Sequence, residues 1–167
     1  MTGPQLGFMA ALTAISLGIA LYALLVINRG SRNLGVRPVS GSLLRRLSRS
    51  PAERPELFPW AFYAHRISGL AVFAFLALHL VDVGLYAISP ALYDEVHVLY
   101  GTPAMRAFES VLFLGILFHA FNGLRLLAID FVDVGPLAVR RSLYIATALA
   151  IVGGMTGAAL IMAPIFR

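Results

Sequence analysis

Two stretches of this chain place costly polar side chains among apolar ones. "AHRISGLAVFAFLALHL", from Ala64 to Leu80, opens on His65 and Arg66 and carries His79 near its end. "FHAFNGLRLLAIDF" carries His119, Gly123, Arg125 and Asp130. A neutral imidazole deep in an apolar segment can be an axial ligand of haem iron, a proton relay, or the hydrogen-bond partner of a polar group on another helix. A relay calls for further carboxylates at mid-depth. Asp82 and Glu109 lie toward one end of their segments and Asp130 at the other. For His79 the haem and structural readings stand side by side, because Asp82, three residues on, can accept its N–H. His97 falls in a connecting loop, where solvation accounts for it.

A guanidinium beside an imidazole, as at Arg66 and His65, can grip a quinone carbonyl or a haem propionate. Ser68 adds a hydroxyl two residues later. Trp60, Phe62 and Tyr63 can wall a ring-shaped ligand, or form an interfacial aromatic belt with Arg66 as a snorkelling anchor. Arg125 is placed to snorkel, or to pair with a propionate or phosphate.

The elements that hold these residues are membrane helices. The chain has 167 residues, only 13% of them charged, and a mean hydropathy of +0.84. Soluble domains carry roughly a quarter charged residues. There is no cysteine, which excludes a disulfide framework, a thiolate-ligated cluster or a cysteine zinc site made by this chain alone. The sequence pI near 10.2 is no sign of nucleic acid, because the arginines sit in loops beside apolar segments, where they set topology. About 20 apolar residues cross a bilayer. Four segments qualify, Leu6–Ile27, Trp60–Ile88, Ala104–Phe131 and Ser142–Ile165, predicting an all-α, four-helix membrane bundle. The first lacks the basic leader of a signal peptide and has too long an apolar run, so it reads as a retained anchor. The chain divides into an N-terminal helix (1–28), a basic loop (29–58) and a three-helix unit (59–167).

Loop charge orients the bundle. Arg29, Arg32, Arg37, Arg45, Arg46, Arg49 and Arg54 crowd the first loop, and Arg140 and Arg141 the last. Asp94 and Glu95 lie between the second and third spans. The positive-inside rule then places the basic loops in the cytoplasm and both termini outside. "LLRRL" in the first loop is a short amphipathic piece suited to anionic headgroups, or else a solvated stretch. His65 and Arg66 lie near the inner surface, and His79, fourteen residues on, about 21 Å deeper. The two histidines share one stripe through Val72, to within roughly 40°. His119 lies about 16 Å from Asp130 at the inner end. Its face continues through Gly123, Leu126 and Asp130. Gly123 removes bulk one turn from the histidine, which suits a flat macrocycle or a close helix crossing.

"HRISG" at one end of a helix, "HLVD" near its far end and "FHAFNGLRLLAIDF" on the next resemble the cytochrome b membrane-anchor subunit of succinate dehydrogenase (succinate:quinone oxidoreductase). "SPALYDEVHVLYGTP" between them resembles the actinobacterial-type members. The resemblance runs from Pro59 to Gly135, with a final helix beyond. It implies an anchor in a bacterial cytoplasmic membrane, holding a flavoprotein with FAD and an iron–sulfur subunit on the cytoplasmic face beside a second anchor subunit. Succinate chemistry belongs to the soluble subunits. It implies haem b ligated through His119, a quinone site using Arg66 and His65, Asp130 closing the motif, and often a trimer of complexes. His79, on the outer half, cannot share an iron with His119, so a second haem would use His79, each haem taking its other histidine from the second anchor subunit.

Three departures are visible. The family's serine four residues before the quinone-site arginine falls on Phe62, leaving Ser68 or Tyr63 to supply that hydrogen bond. The position after Arg125, often histidine, is Leu126. The first helix is additional to a three-helix core. Two other readings stay open: the anchor of a fumarate reductase or another quinone-linked dehydrogenase, and a haem-free membrane scaffold or small transporter.

Overall fold

The computed structural model describes residues 1–33, 57–132 and 135–166. The segment holding "LLRRL" lies outside the described residues, and so do the headgroup reading of it and most of the basic loop. The helices are α1 (Gly3–Asn33), α2 (Leu57–Ile88), α3 (Pro90–His97), α4 (Pro103–Phe131) and α5 (Pro136–Met162). Tight 3₁₀ turns follow α3 (Val98–Gly101) and α5 (Ala163–Phe166). No strand occurs among the described residues. Helices α1, α2, α4 and α5 are each long and apolar enough to cross a membrane, so the chain is a multi-pass membrane protein.

Local chemistry sets the helix starts. Ser89 Oγ accepts the Leu92 N–H at 3.3 Å ahead of Pro90, and Thr102 Oγ1 accepts the Met105 N–H at 3.4 Å ahead of Pro103. Each hydroxyl satisfies an otherwise orphaned donor, and each proline lacks the N–H that a first turn cannot pair. Helix α5 opens at Pro136 rather than Ser142. Arg140 and Arg141 lower the hydropathy of its first turns, but they do not interrupt backbone hydrogen bonding. The short α3 and its following turn replace the expected outer loop.

The closest pairing is α4 against α5. Ala146, Ala150 and Gly154 bury a seam of small residues on α5. Side chains of α4 fill the space they leave: Leu114 lies over Gly154, Phe113 over Gly157 and Leu117 over Gly153. Small residues let two backbones approach and gain dispersion contacts, the main attraction between helices in lipid. Helix α1 leans on α2, and its N-terminal end rests on the α3 region. There Leu12, Leu99 and Met105 form a small core bordered by Phe8 and Tyr100. Gln5 Nε2–H donates to the Glu95 carbonyl at 2.9 Å. Across the bundle, an Arg106 guanidinium N–H donates to the Ile161 carbonyl at 2.8 Å, tying the end of α5 to the start of α4.

These contacts put the start of α1, the 90–101 segment and the end of α5 at one end of the bundle. The other ends of the long helices meet at the opposite end, so both termini of the described chain lie on one side. At most 17% of the most apolar window of any span is buried within the chain. Broad apolar flanks are thereby left for lipid or neighbouring subunits.

Candidate functional site at the crossing of α2 and α4

Where α2 and α4 pass, the chain repeats one pattern on two antiparallel helices: His65-x₃-Gly69 and His119-x₃-Gly123. Residues four apart lie on one face, so each helix offers a ring and, one turn on, a gap. Each ring sits over the other helix's gap. A Cβ at Gly69 would lie 2.7 Å from His119 Cε1, and one at Gly123 would lie 3.4 Å from His65 Cε1. The rings meet in a parallel stack, with centroids 4.1 Å apart and planes 2° from parallel. Gly123 thus makes room mainly for His65, and Gly69 makes room for His119. The repeated spacing carries that signal in the sequence, but only Gly123 was singled out there.

The stack fixes what each ring can do. His119 Nδ1 lies 3.1 Å from the His65 carbonyl oxygen. A carbonyl only accepts, so Nδ1 carries the hydrogen, and in the neutral ring Nε2 then holds the lone pair. Among the described residues no hydrogen bond reaches Nε2. Metal-binding histidines characteristically donate the second ring N–H to a carbonyl or carboxylate, which fixes tautomer and orientation. His119 in its neutral form can therefore offer Nε2 to a metal. His65 and His119 present faces to each other, not lone pairs, so they cannot clamp one iron between them. The His65 carbonyl also accepts the Ser68 hydroxyl at 3.0 Å. His65 Nδ1 is buried without a hydrogen-bond partner.

At the N-terminal end of α2 the structure gathers an aromatic collar. Tyr63 meets Trp60 and Phe62 edge-on, with centroids 6.3 and 5.6 Å apart. The Arg66 guanidinium lies 5.2 Å from the Phe62 ring centroid, a cation–π contact. Phe62 and Arg66 are exposed. Ser68 does not join this group: it lines an apolar cavity of about 540 Å³ between α1, α2 and α4, with Ala64, Ala71, Ser16 and Gly115.

Arg125 departs from the snorkelling expectation. It is 9% exposed and clamped between α4 and α5. Its guanidinium donates to Ser142 Oγ at 3.1 Å, to Asn122 Oδ1 at 3.3 Å and to the Val139 carbonyl at 3.2 Å. Asn122 is buried with it. The face from His119 through Leu126 to Asp130 is only partly inward, because Leu126 and Asp130 are exposed while Asn122 and Arg125 turn to α5. His79 is exposed and stacks on Phe75, with centroids 5.8 Å apart and planes 11° from parallel. No hydrogen bond joins it to Asp82, which is buried and turned toward Tyr100. His97 is exposed, yet it stacks between Tyr93 and Tyr100 at 4.9 and 5.0 Å. Among the described residues, no three His, Cys, Asp or Glu side chains converge as a metal site.

The profile of the succinate dehydrogenase/fumarate reductase transmembrane subunit family matches residues 49–157, more than half of the chain. The chain is similar to the succinate dehydrogenase 2 membrane subunit SdhC of Mycobacterium tuberculosis (strain ATCC 25618 / H37Rv), with 41% identity over 86 residues. That match covers 52% of this chain and 63% of the relative.

Proposed function

Because the chain belongs to the succinate dehydrogenase/fumarate reductase transmembrane subunit family, we propose that it is the cytochrome b anchor of a succinate:quinone oxidoreductase. It carries no succinate chemistry. A flavoprotein subunit with FAD and an iron–sulfur subunit dock on its cytoplasmic face, and a second anchor subunit packs against its apolar flanks in the bacterial cytoplasmic membrane. The arginine-rich first loop faces the cytoplasm and both termini face outward.

The observation that carries the haem assignment is the His119 hydrogen bond. Donation from Nδ1 to the His65 carbonyl leaves the Nε2 lone pair to meet iron, and Gly69 leaves the ring its space. A bound b haem would supply one-electron storage, at a potential set by its axial ligands and burial. His65 cannot be the second ligand, so that histidine comes from the second anchor subunit. Arg125 brings positive charge toward the inner end of the same helix, which favours the propionate side. His79 faces outward from this chain and can meet a second haem only together with a partner's ligand.

Trp60, Tyr63, Arg66 and His65 form this chain's share of a quinone site at the inner surface. The Arg66 guanidinium and the unpartnered His65 Nδ1 supply polar contacts to a quinone carbonyl, and the aromatic rings wall its head group. Ser68 faces the α1 cavity, so Tyr63 is the better placed hydroxyl to substitute at the Phe62 departure. The test is a reduced-minus-oxidised spectrum with pyridine haemochrome quantification, on the complex purified through this chain and on His119→Ala. The expected result is b haem in the wild type, with one haem lost in the variant. A wild type without haem would leave only the anchoring role standing.

A further inference from the structure

The His65 carbonyl oxygen serves more donors than it has lone pairs. His119 Nδ1–H donates to it at 3.1 Å, and the Ser68 hydroxyl donates to it at 3.0 Å. Within α2 the Gly69 N–H, four residues on, points at the same oxygen. A carbonyl oxygen has two lone pairs, so three donors that share them each bond more weakly than they would alone.

Two of the three donors are fixed in place. The Gly69 N–H is held by the helix. The His119 ring is held by its stack on His65 and by the gap over Gly69. The Ser68 hydroxyl is the adjustable one, since it rotates about its C–O bond. A helical serine commonly bonds back to a carbonyl of the preceding turn. Here that habit puts it in competition with the one hydrogen bond that orients His119. Ser68 lines the apolar cavity between α1, α2 and α4, away from the aromatic collar. Ser16, the other hydroxyl of that lining, comes from α1. Among the described residues no hydrogen bond joins Ser16 to the His65 carbonyl.

We propose that Ser68 is a positioning residue that sets the donor strength of His119 Nε2. By holding part of the His65 carbonyl, its hydroxyl keeps the Nδ1–H bond below full strength. A stronger pull on that hydrogen makes the ring a more basic ligand. Weaker axial donation stabilises the oxidised iron less, so Ser68 holds the potential of a haem on His119 higher than the carbonyl alone would. The inference rests on the reading of His119 as a haem ligand.

Potentiometric titration of b haem in the purified complex tests it, read on the haem that His119→Ala removes. Ser68→Ala frees the carbonyl for His119, and the midpoint potential should fall while haem content per complex stays at the wild-type level. Ser68→Thr keeps a hydroxyl that can bond back, and should stay with the wild type. Ser16→Ala removes a hydroxyl from the same cavity without touching the carbonyl, and should also leave the potential in place. An unchanged or raised potential in Ser68→Ala would overturn the tuning role. So would an equal fall in Ser16→Ala or Ser68→Thr, or loss of haem from Ser68→Ala. A wild type without b haem, or b haem that fully survives His119→Ala, would instead overturn the ligand reading beneath it.

Discussion

On the proposed orientation, Arg125 in the inner half of the bundle is buried with protein acceptors around it, whereas Asp82 in the outer half is buried more deeply and keeps one oxygen bare. The inner half also has an orphan, His65 Nδ1, but a neutral imidazole tolerates an unmet nitrogen far better than a carboxylate tolerates an unmet oxygen. The contrast separates two uses of polarity in lipid. Around His119 and Arg125, hydrogen bonds and small residues fix side chains in place, as a ligand-presenting site requires. Around Asp82 the hydrogen bonding is incomplete, with Oδ1 unpartnered.

Breaking the inner clamp should have the largest effect. Arg125→Ala orphans the Asn122 amide oxygen and removes the ties to Ser142 and Val139, at about 1–3 kcal/mol for each buried group left unsatisfied. A thermal melt of the complex in detergent should fall markedly, with Arg125→Lys in between, because an ammonium cannot reproduce a planar fork. A melt unchanged in Arg125→Ala would dissolve the contrast between the halves.

The next effect sharpens the crossing itself. Gly69→Ala forces a methyl group against the His119 ring and should cost about 1–3 kcal/mol as overpacking, with haem content falling alongside stability. Gly123→Ala meets His65 only at ordinary contact distance and should cost well under about 1 kcal/mol. Equal effects at the two glycines would contradict the geometry of the stack.

The smallest effect belongs to the outer half. The folded state holds the Tyr100 proton more tightly than the unfolded chain does. Its contribution is complete below the unfolded phenol's pKa, about 10, and is lost as pH rises beyond it. Alkaline unfolding monitored by circular dichroism should therefore be steeper for the wild type than for Tyr100→Phe. Superimposable curves would remove Tyr100 from the buried cluster.

The four spans were legible because runs of about 20 apolar residues have few alternatives to a membrane helix. The histidines were legible for the same reason, since a polar group in such a run is conspicuous. What escaped was pairing. Gly69 reads as part of "HRISG" until α4 is laid antiparallel beside it, and only then does its role toward His119 show. Arg125, near a helix end, looks like a snorkelling residue, and only the approach of α5 supplies Ser142 and Val139. Helix α3 is too short for a periodicity argument, although Ser89–Pro90 was a visible start signal. His97 is exposed, as its solvated reading expects, but its stacking on Tyr93 and Tyr100 was hidden because a helix not foreseen there joins them.

The central claim is that His119 presents Nε2 to haem iron because Nδ1 is tied to the His65 carbonyl. A cryo-electron microscopy map of the complex purified through this chain tests it most directly. The account predicts iron on His119 Nε2, Nδ1 still on that carbonyl, and the opposing ligand from a neighbouring subunit. Iron bound elsewhere in this chain, or His119 turned away with no haem beside it, would contradict it.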